Sequence, residues 1–276
     1  MSTPADQWSS VAAVWDRNVD DIDTSQQPAV RAYVDAARLQ PGDDLLELGA
    51  GPGSLAATWS SLVGPDGSVL LTDIAPGMVE AARRRAADLD NVDVAVVDMA
   101  AIDRPEASFD VVASRMGLMF VVEPSTALTE MHRVLRGGGR VVAMVWGRIE
   151  DNPWMTSVGM AAMSTGLVSG GPPVGPGGMF SLSDPQHLAE LVRDAGFGDV
   201  ETAEIDTVFE APSVEAHVAR VGERAGPLAA AFAAATPEQL AAVCQVSAAL
   251  SAPYAAADGS LRLPGRAVLV SATKGQ

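Results

Sequence analysis

The sequence predicts a doubly wound α/β fold on a mostly parallel seven-stranded sheet. Three observations carry this. Strand-length apolar runs alternate with amphipathic helical stretches between residues 44 and 146. The first run, LLELG, opens into a glycine-crowded turn, GAGPGS, that leads directly into a helical pattern. An acid, Asp73, closes the second run, where a strand-end carboxylate in such a sheet faces the ligand crevice.

Each element follows in order. Trp8, Val11, Ala12, Trp15 and Val19 repeat at helical spacing and predict a helix over 5–20. A second helix is predicted from Pro28 to Leu39, and the turn PGDD leads into strand 44–48. Helix 53–63 puts Leu55, Trp59, Leu62 and Val63 on one face. The turn GPDG precedes strand 68–73, and Pro76 opens helix 76–88. Strands 92–97 and 109–114, helix 124–136 and strand 140–146 follow, with Gly137–Gly139 read as the end of that helix. Beyond 147 the texture changes. Residues 164–180 are rich in Gly and Pro and predict a long loop of the kind that often serves as a lid. A helix over 184–195, a strand over 199–209, an Ala-rich helical stretch over 213–258 and a last strand over 266–273 complete the reading. The organisation is thus a helical lid (1–40), a nucleotide-binding core (41–147), a loop, helix and sixth strand (148–212), a helical cap insertion (213–260) and a last strand (261–276). The apolar helices of 213–260 suit either a cap over the chain's own site or a homodimer interface.

Composition bounds the function. The 276 residues are 48% hydrophobic, enough for a sizeable core. A net charge of −17 repels phosphate backbones and anionic lipid, so neither nucleic acid nor a membrane is an expected partner. No apolar run reaches membrane-span length. MSTPADQWSS carries no basic n-region or apolar h-region, so no signal peptide is expected and the expected compartment is the cytoplasm. A single cysteine, Cys244, excludes an internal disulfide and a multi-thiolate metal site, and its Ala-rich surroundings predict a small buried hydrophobe.

The turn after the first strand decides the nucleotide. A dinucleotide fingerprint requires G-x-G-x-x-G. Here the glycines are Gly49, Gly51 and Gly53, and Ser54 stands where the third belongs. Pro52 offers no N–H to a phosphate, and Glu47 adds negative charge just upstream. Such a loop suits a ligand without phosphate and with positive charge, as S-adenosylmethionine is with its sulfonium and ammonium groups.

Residues 45–146 resemble the class I S-adenosylmethionine-dependent methyltransferases, in the group that includes ubiquinone- and menaquinone-biosynthesis-type enzymes. LELGAGPG is similar to that family's first motif, LLTDIAPGMVEAARRRA to the second and VVDMAAI to the third. FDVVASRMGLMF and EMHRVLRGGGRVV match the fourth- and fifth-strand segments, Gly137 standing where a proline is usual. The resemblance implies a Rossmann-like methyltransferase fold, S-adenosylmethionine as cofactor and S-adenosylhomocysteine as product. It places Gly49, Ala50, Gly51 and Gly53 against the methionyl part, and Glu47 at the loop base, holding the turn or facing the ligand ammonium. Asp73 would accept the ribose hydroxyls and Asp98 the adenine amino group. Met99 would lie on the ring, and Ile74 and Met78 would form its apolar slot. Ser114 and Arg115 would sit near the reactive methyl.

For the acceptor, elimination leaves a small organic molecule such as an aromatic, polyketide, terpenoid or quinone precursor. Ser114-Arg115-Met116-Gly117 replaces the Asn/Asp-Pro-Pro-aromatic motif of base methylation, the paired glutamates of protein arginine methylation and the strand-four carboxylate of metal-dependent catechol methylation. No metal is expected. Asp151-Asn152 imitates part of that metal site only as an NP turn does. Trp15, Met119, Trp146 and Trp154 are the predicted acceptor-pocket residues. Of three histidines, His132 reads as structural, His187 as solvated helix surface, and His217, in the cap, as the catalytic-base candidate. The Arg83–Arg85 run reads as a solvated helix face. Three competitors stand beside it: a descendant of the fold that binds the cofactor but catalyses a reaction such as cyclisation, an NAD(P)-dependent oxidoreductase, and a binding or regulatory module, against which the crowded glycines speak. Ser54 and the lack of a Tyr-x-x-x-Lys pair stand against the second.

Overall fold

A computed structural model describes residues 3–224 and 226–276. Seven strands form one sheet: β1 (Asp44–Leu48), β2 (Ser68–Asp73), β3 (Val92–Val96), β4 (Phe109–Arg115), β5 (Leu135–Trp146), β6 (Phe197–Ala211) and β7 (Leu261–Lys274). Their order is β3-β2-β1-β4-β5-β7-β6, with β7 antiparallel to both its neighbours and every other pairing parallel. The strand order reverses between β1 and β4, so a crevice opens beyond the carboxyl ends of those two strands. The expected doubly wound, mostly parallel seven-stranded fold is what the chain adopts.

Ten α-helices are described: α1 (Pro4–Ser25), α2 (Gln27–Ala37), α3 (Ala56–Val63), α4 (Pro76–Arg85), α5 (Pro124–Val134), α6 (Pro153–Ser164), α7 (Pro185–Asp194), α8 (Val214–Arg224), α9 (Gly226–Ala234) and α10 (Pro237–Ser251). Most begin with proline in the first turn, where the missing N–H costs nothing. The core lies between sheet and helices: Leu45, Leu46, Leu48, Leu71, Val112 and Val142 are all buried and packed by Trp59, Leu128 and Met131.

Several elements differ from expectation. α1 runs to Ser25 rather than 20, a turn and a half longer, held at its start by a capping box between Thr3 and Asp6. α5 ends at Val134, and Gly137–Gly139 belong to β5 instead of terminating the helix. There they form a bulge: Phe109 pairs with Leu135, but Val111 pairs with Arg140. A Cβ on Gly139 would lie 2.9 Å from the Asp110 carbonyl oxygen, which explains glycine at that crossing. α6 was not foreseen. Pro153, Met155, Ser157, Val158, Ala161 and Ala162 are buried against α10, α8 and β7, so the helix has no polar stripe to betray its period. β7 begins five residues early, at Leu261, because it pairs with β6 along nearly its whole length. Cys244 is half-buried rather than enclosed.

Arg84 and Arg85 do not simply meet water. Arg84 pairs with Asp16 at 2.8 Å, and Arg85 donates to Asp16 Oδ1 at 3.1 Å, to its carbonyl at 2.8 Å and to Asp20 at 3.1 Å. These contacts fasten α1 across α4, above the apolar cluster of Val11, Ala12, Ala75 and Met78. Among the described residues no helix is long and apolar enough to cross a membrane.

Candidate functional site

The loop after β1 is shaped by backbone that only glycine adopts freely. Gly49 and Gly51 have φ of 68° and 57°. A Cβ on Gly49 would touch Gly117 Cα and the Met99 methyl, both at 3.4 Å, so the loops after β1, β3 and β4 converge there. Gly53 serves a different purpose from the other two. A Cβ there would sit 2.9 Å from Ala82 Cβ, so its absence lets α4 pack beneath the loop.

Asp73 organises the turn. Its Oδ2 accepts from Gly51 N at 3.0 Å and its Oδ1 from Ala75 N at 2.9 Å. One carboxylate therefore ties the glycine loop to the start of α4. Burial pushes its pKa up, and the backbone N–H groups of Ala75, Gly51 and Ile74 oppose that. Each oxygen keeps a lone pair for a ligand hydroxyl. Asp98 is exposed at the rim, one oxygen accepting from Ala100 N at 2.9 Å.

These residues border one cavity of about 1450 Å³. One end is lined by Gly49, Ala50, Gly51, Asp73, Ile74 and Met78, with Asp98, Met99 and Arg115 beside them. The other end is aromatic: Trp146 and Trp154 lie 4.9 Å apart, and Phe209 stacks on Trp154 at 4.2 Å. Met119 and Trp15 complete the wall, and Trp15 Nε1 donates to the Arg224 carbonyl at 3.0 Å. Fully buried Asn152 aims Trp154, accepting from its Nε1 at 3.0 Å and donating to the Gly147, Arg148 and Arg266 carbonyls. Asn152 is thus a structural bracket. The Gly- and Pro-rich segment also borders the cavity, through Val168, Pro172 and Met179.

Three predicted residues lie outside the lining. Glu47 points into the core, where it accepts from Trp59 Nε1 at 2.8 Å and Tyr33 Oη at 3.2 Å. Burial raises its pKa to about 7, although nearby Arg115 favours the carboxylate. It braces the loop from behind and does not face the crevice. Gly53 lies under the loop, as above. Ser114 is fully buried behind Gly117, its hydroxyl without a partner among the described residues.

His217 borders the cavity, but its Nε2 lies 3.3 Å from the buried Ser157 hydroxyl and its ring bonds to the Trp154 backbone. Burial lowers its pKa to about 4. The ring is a neutral bridge from α8 to α6 and too weak a base for the role the sequence suggested. Its NMR ring-proton shifts should not titrate until the pH approaches about 4. A midpoint near 6.5 would show a solvated imidazole and return the base assignment.

Sequence reasoning missed Asp23, Phe209, Arg220 and Arg224, all on the cavity wall. Arg115 donates to Asp23 Oδ1 at 2.8 Å and to Ser54 Oγ at 3.0 Å, so α1 is pinned to the end of β4. Only the full length of α1 reveals Asp23. Phe209 falls on the last turn-inward position of a strand already predicted.

The donors fit S-adenosylmethionine: a glycine-rich loop, a buried carboxylate at the second strand end, and apolar Ile74, Met78 and Met99 around it. Comparison with known proteins agrees. Residues 46–143 match the model of a methyltransferase domain. The ubiquinone/menaquinone biosynthesis C-methyltransferase UbiE of Hahella chejuensis is 35% identical over 121 residues, covering 43% of this chain and 49% of that enzyme. The chain thus spans about half the length of the curated relatives it matches. Among solved structures, the YcgJ protein of Bacillus subtilis aligns with TM-score 0.60 at 16% identity, over 88% of this chain and 96% of that one. The [4+2]-cyclase SpnF aligns with TM-score 0.58 at 20% identity, over 100% and 99%. At those identities the structures show a shared fold alone. The likeness to methyltransferases is thus carried by segment 46–143, which matches a methyltransferase domain.

Proposed function

We propose that this protein transfers a methyl group from S-adenosylmethionine to a small, largely apolar organic acceptor. The observation that carries the reading is the continuity of the cavity. The glycine loop with Asp73 and the Trp146–Trp154–Phe209 wall are two ends of one space of about 1450 Å³. That exceeds the roughly 300–1,000 Å³ of a single small-molecule site, leaving room for cofactor and acceptor side by side.

In this reading the cofactor supplies an electrophilic methyl on sulfonium. Gly49, Ala50 and Gly51 admit its methionyl part, Asp73 accepts the ribose hydroxyls, and Asp98 and Met99 hold the adenine with Ile74 and Met78. Arg115, neutralised by Asp23, closes that end. Glu47, Gly53 and Ser114 act from behind the loop. The acceptor lies against Trp15, Met119, Trp146 and Trp154. The lid of 1–40 and the helices of 213–260 cover it: α8 and α9 pack on α1, and Trp15 is hydrogen-bonded to the end of α8. Those helices are read as a cap, not a dimer interface. The protein's work is orientation and exclusion of water. With His217 neutral and engaged, the acceptor's own nucleophile suffices.

Calorimetric titration with S-adenosylhomocysteine, with NAD as control, tests the cofactor half. Micromolar binding of the first alone is expected. Binding of NAD, or of neither, would sink the reading. Labelled S-adenosylmethionine with a panel of quinol, phenolic and terpenoid acceptors tests the transfer.

A further inference from the structure

The wall that α8 gives the cavity carries two arginines without an ion-pair partner among the described residues. His217, Arg220 and Arg224 recur at i, i+3 and i+7, so one face of the helix presents all three to the cavity. Arg115 is the other arginine of the lining, and Asp23 and Ser54 occupy it. Arg220 and Arg224 take part in no ion pair among the described residues. Arg220 uses one Nη on the Glu210 carbonyl, at 2.7 Å. The Arg224 Nε is buried and has no hydrogen-bond partner among the described residues.

A cationic pair of this kind is not a by-product of composition. The chain has 35 acidic and only 18 basic side chains, so a surplus of carboxylates is at hand to pair them. The local acids do not. The Glu210 carboxylate is held by Arg262 at 3.0 Å, while Asp21 and Glu223 are exposed and act on Arg224 only at a distance. An arginine at a helix C-terminus that served the dipole alone would keep its fork in water. Here Trp15 Nε1 grips the Arg224 carbonyl and fixes that turn of α8 against the lid. Arg224 borders the cavity with neither Nη committed to a described residue, so its outer donors are a site for an acceptor oxygen.

Taking the cavity as the acceptor site of the methyltransferase reading, we infer that the acceptor is an apolar organic acid. Its carboxylate is bound by Arg224 and Arg220, and its hydrophobic body lies on Trp146, Trp154 and Phe209. Charge selects carboxylate over phosphate. Neither guanidinium has an ion-pair partner among the described residues, Arg220 is half-engaged by a carbonyl, and Asp21 acts on Arg224 from a distance, which leaves about one net positive charge. A phosphate monoester brings nearly two negative charges.

The test uses the full chain and three probes of one shape: naphthalene carboxylate, its carboxamide and naphthyl phosphate, titrated by tryptophan fluorescence. The carboxylate is expected to bind about tenfold or more tighter than the carboxamide and tighter than the phosphate, because a charged hydrogen bond replaces a neutral one. Arg224→Met should bring acid and amide within about twofold, and Arg224→Lys should restore part of the ratio. Equal binding of acid and amide by the wild type, or a ratio that survives Arg224→Met, overturns the inference, and preference for the phosphate overturns its chemistry. S-adenosylhomocysteine titrated in parallel reports the fold of each variant and tests the other reading separately. If it fails to bind while the acid-to-amide ratio holds, the cofactor assignment falls and the anion site stands.

Discussion

Asp73→Ala should abolish measurable binding of S-adenosylhomocysteine, with affinity at least about 100-fold below wild type. The size follows from what the carboxylate holds. It accepts from Gly51 N at 3.0 Å and Ala75 N at 2.9 Å, and it is the acceptor proposed for the ribose hydroxyls. Hydrogen bonds to a charged group contribute about 1.5–3 kcal/mol each, and about 1.4 kcal/mol is tenfold in affinity. Truncation removes the ligand contact and frees the glycine loop from α4 together. Asp73→Asn separates the two effects. The amide keeps one acceptor but turns an NH2 toward the other backbone N–H, so a loss of about tenfold is expected. Calorimetry at fixed pH measures both, with circular dichroism to verify the fold. Wild-type affinity in Asp73→Ala would mean that the second strand end is not where the ribose sits.

That prediction rests on the part of the molecule most legible from sequence. Gly49, Gly51 and Asp73 act through local backbone: positive φ, a turn after an apolar run, a carboxylate at a strand end. All of these leave marks on neighbouring letters. The helix starts were legible for the same reason, since Pro76, Pro124 and Pro185 each open a helix. What was hidden depends on distant partners. α6 keeps apolar residues on its exposed side too, Met160 among them, so hydrophobicity carried no period there. Gly137–Gly139 resemble a helix stop until the pairing of β4 with β5 shows the bulge. Arg84 and Arg85 looked solvated until α1, some 65 residues away in sequence, brought Asp16 and Asp20 to them. The sequence left Glu47 between holding the turn and facing the ligand, and placed Ser114 near the reactive methyl, for one reason. Both lie on strands buried on both faces, where alternation no longer says which way a side chain points.

Glu47 supplies the second large effect. The carboxyl sits at about 7 because burial penalises its charge more than Arg115, Trp59 and Tyr33 favour it. In the unfolded chain it titrates near 4.5. Between those values the folded protein keeps a proton that the unfolded chain has released. The contribution of this residue to stability is therefore fullest below about pH 4.5, falls as pH rises to about 7 and is level above. Glu47→Gln is neutral at every pH. Its amide oxygen can accept from Trp59 Nε1 and its NH2 can donate to Tyr33 Oη, so each partner keeps one hydrogen bond to the side chain. The variant should be more stable than wild type at pH 8 by about 3 kcal/mol, at about 1.4 kcal/mol per unit of pKa shift, and the advantage should shrink toward pH 5. Urea unfolding of both proteins at the two pH values measures it. A constant difference would mean that Glu47 keeps one charge state throughout. The same variant decides which way the side chain works. A glutamate facing the crevice and pairing a ligand ammonium would lose affinity on neutralisation, whereas a brace behind the loop would not. With Glu47 held by Tyr33 and Trp59 and absent from the cavity wall, S-adenosylhomocysteine affinity in Glu47→Gln should stay within about threefold of wild type while stability rises.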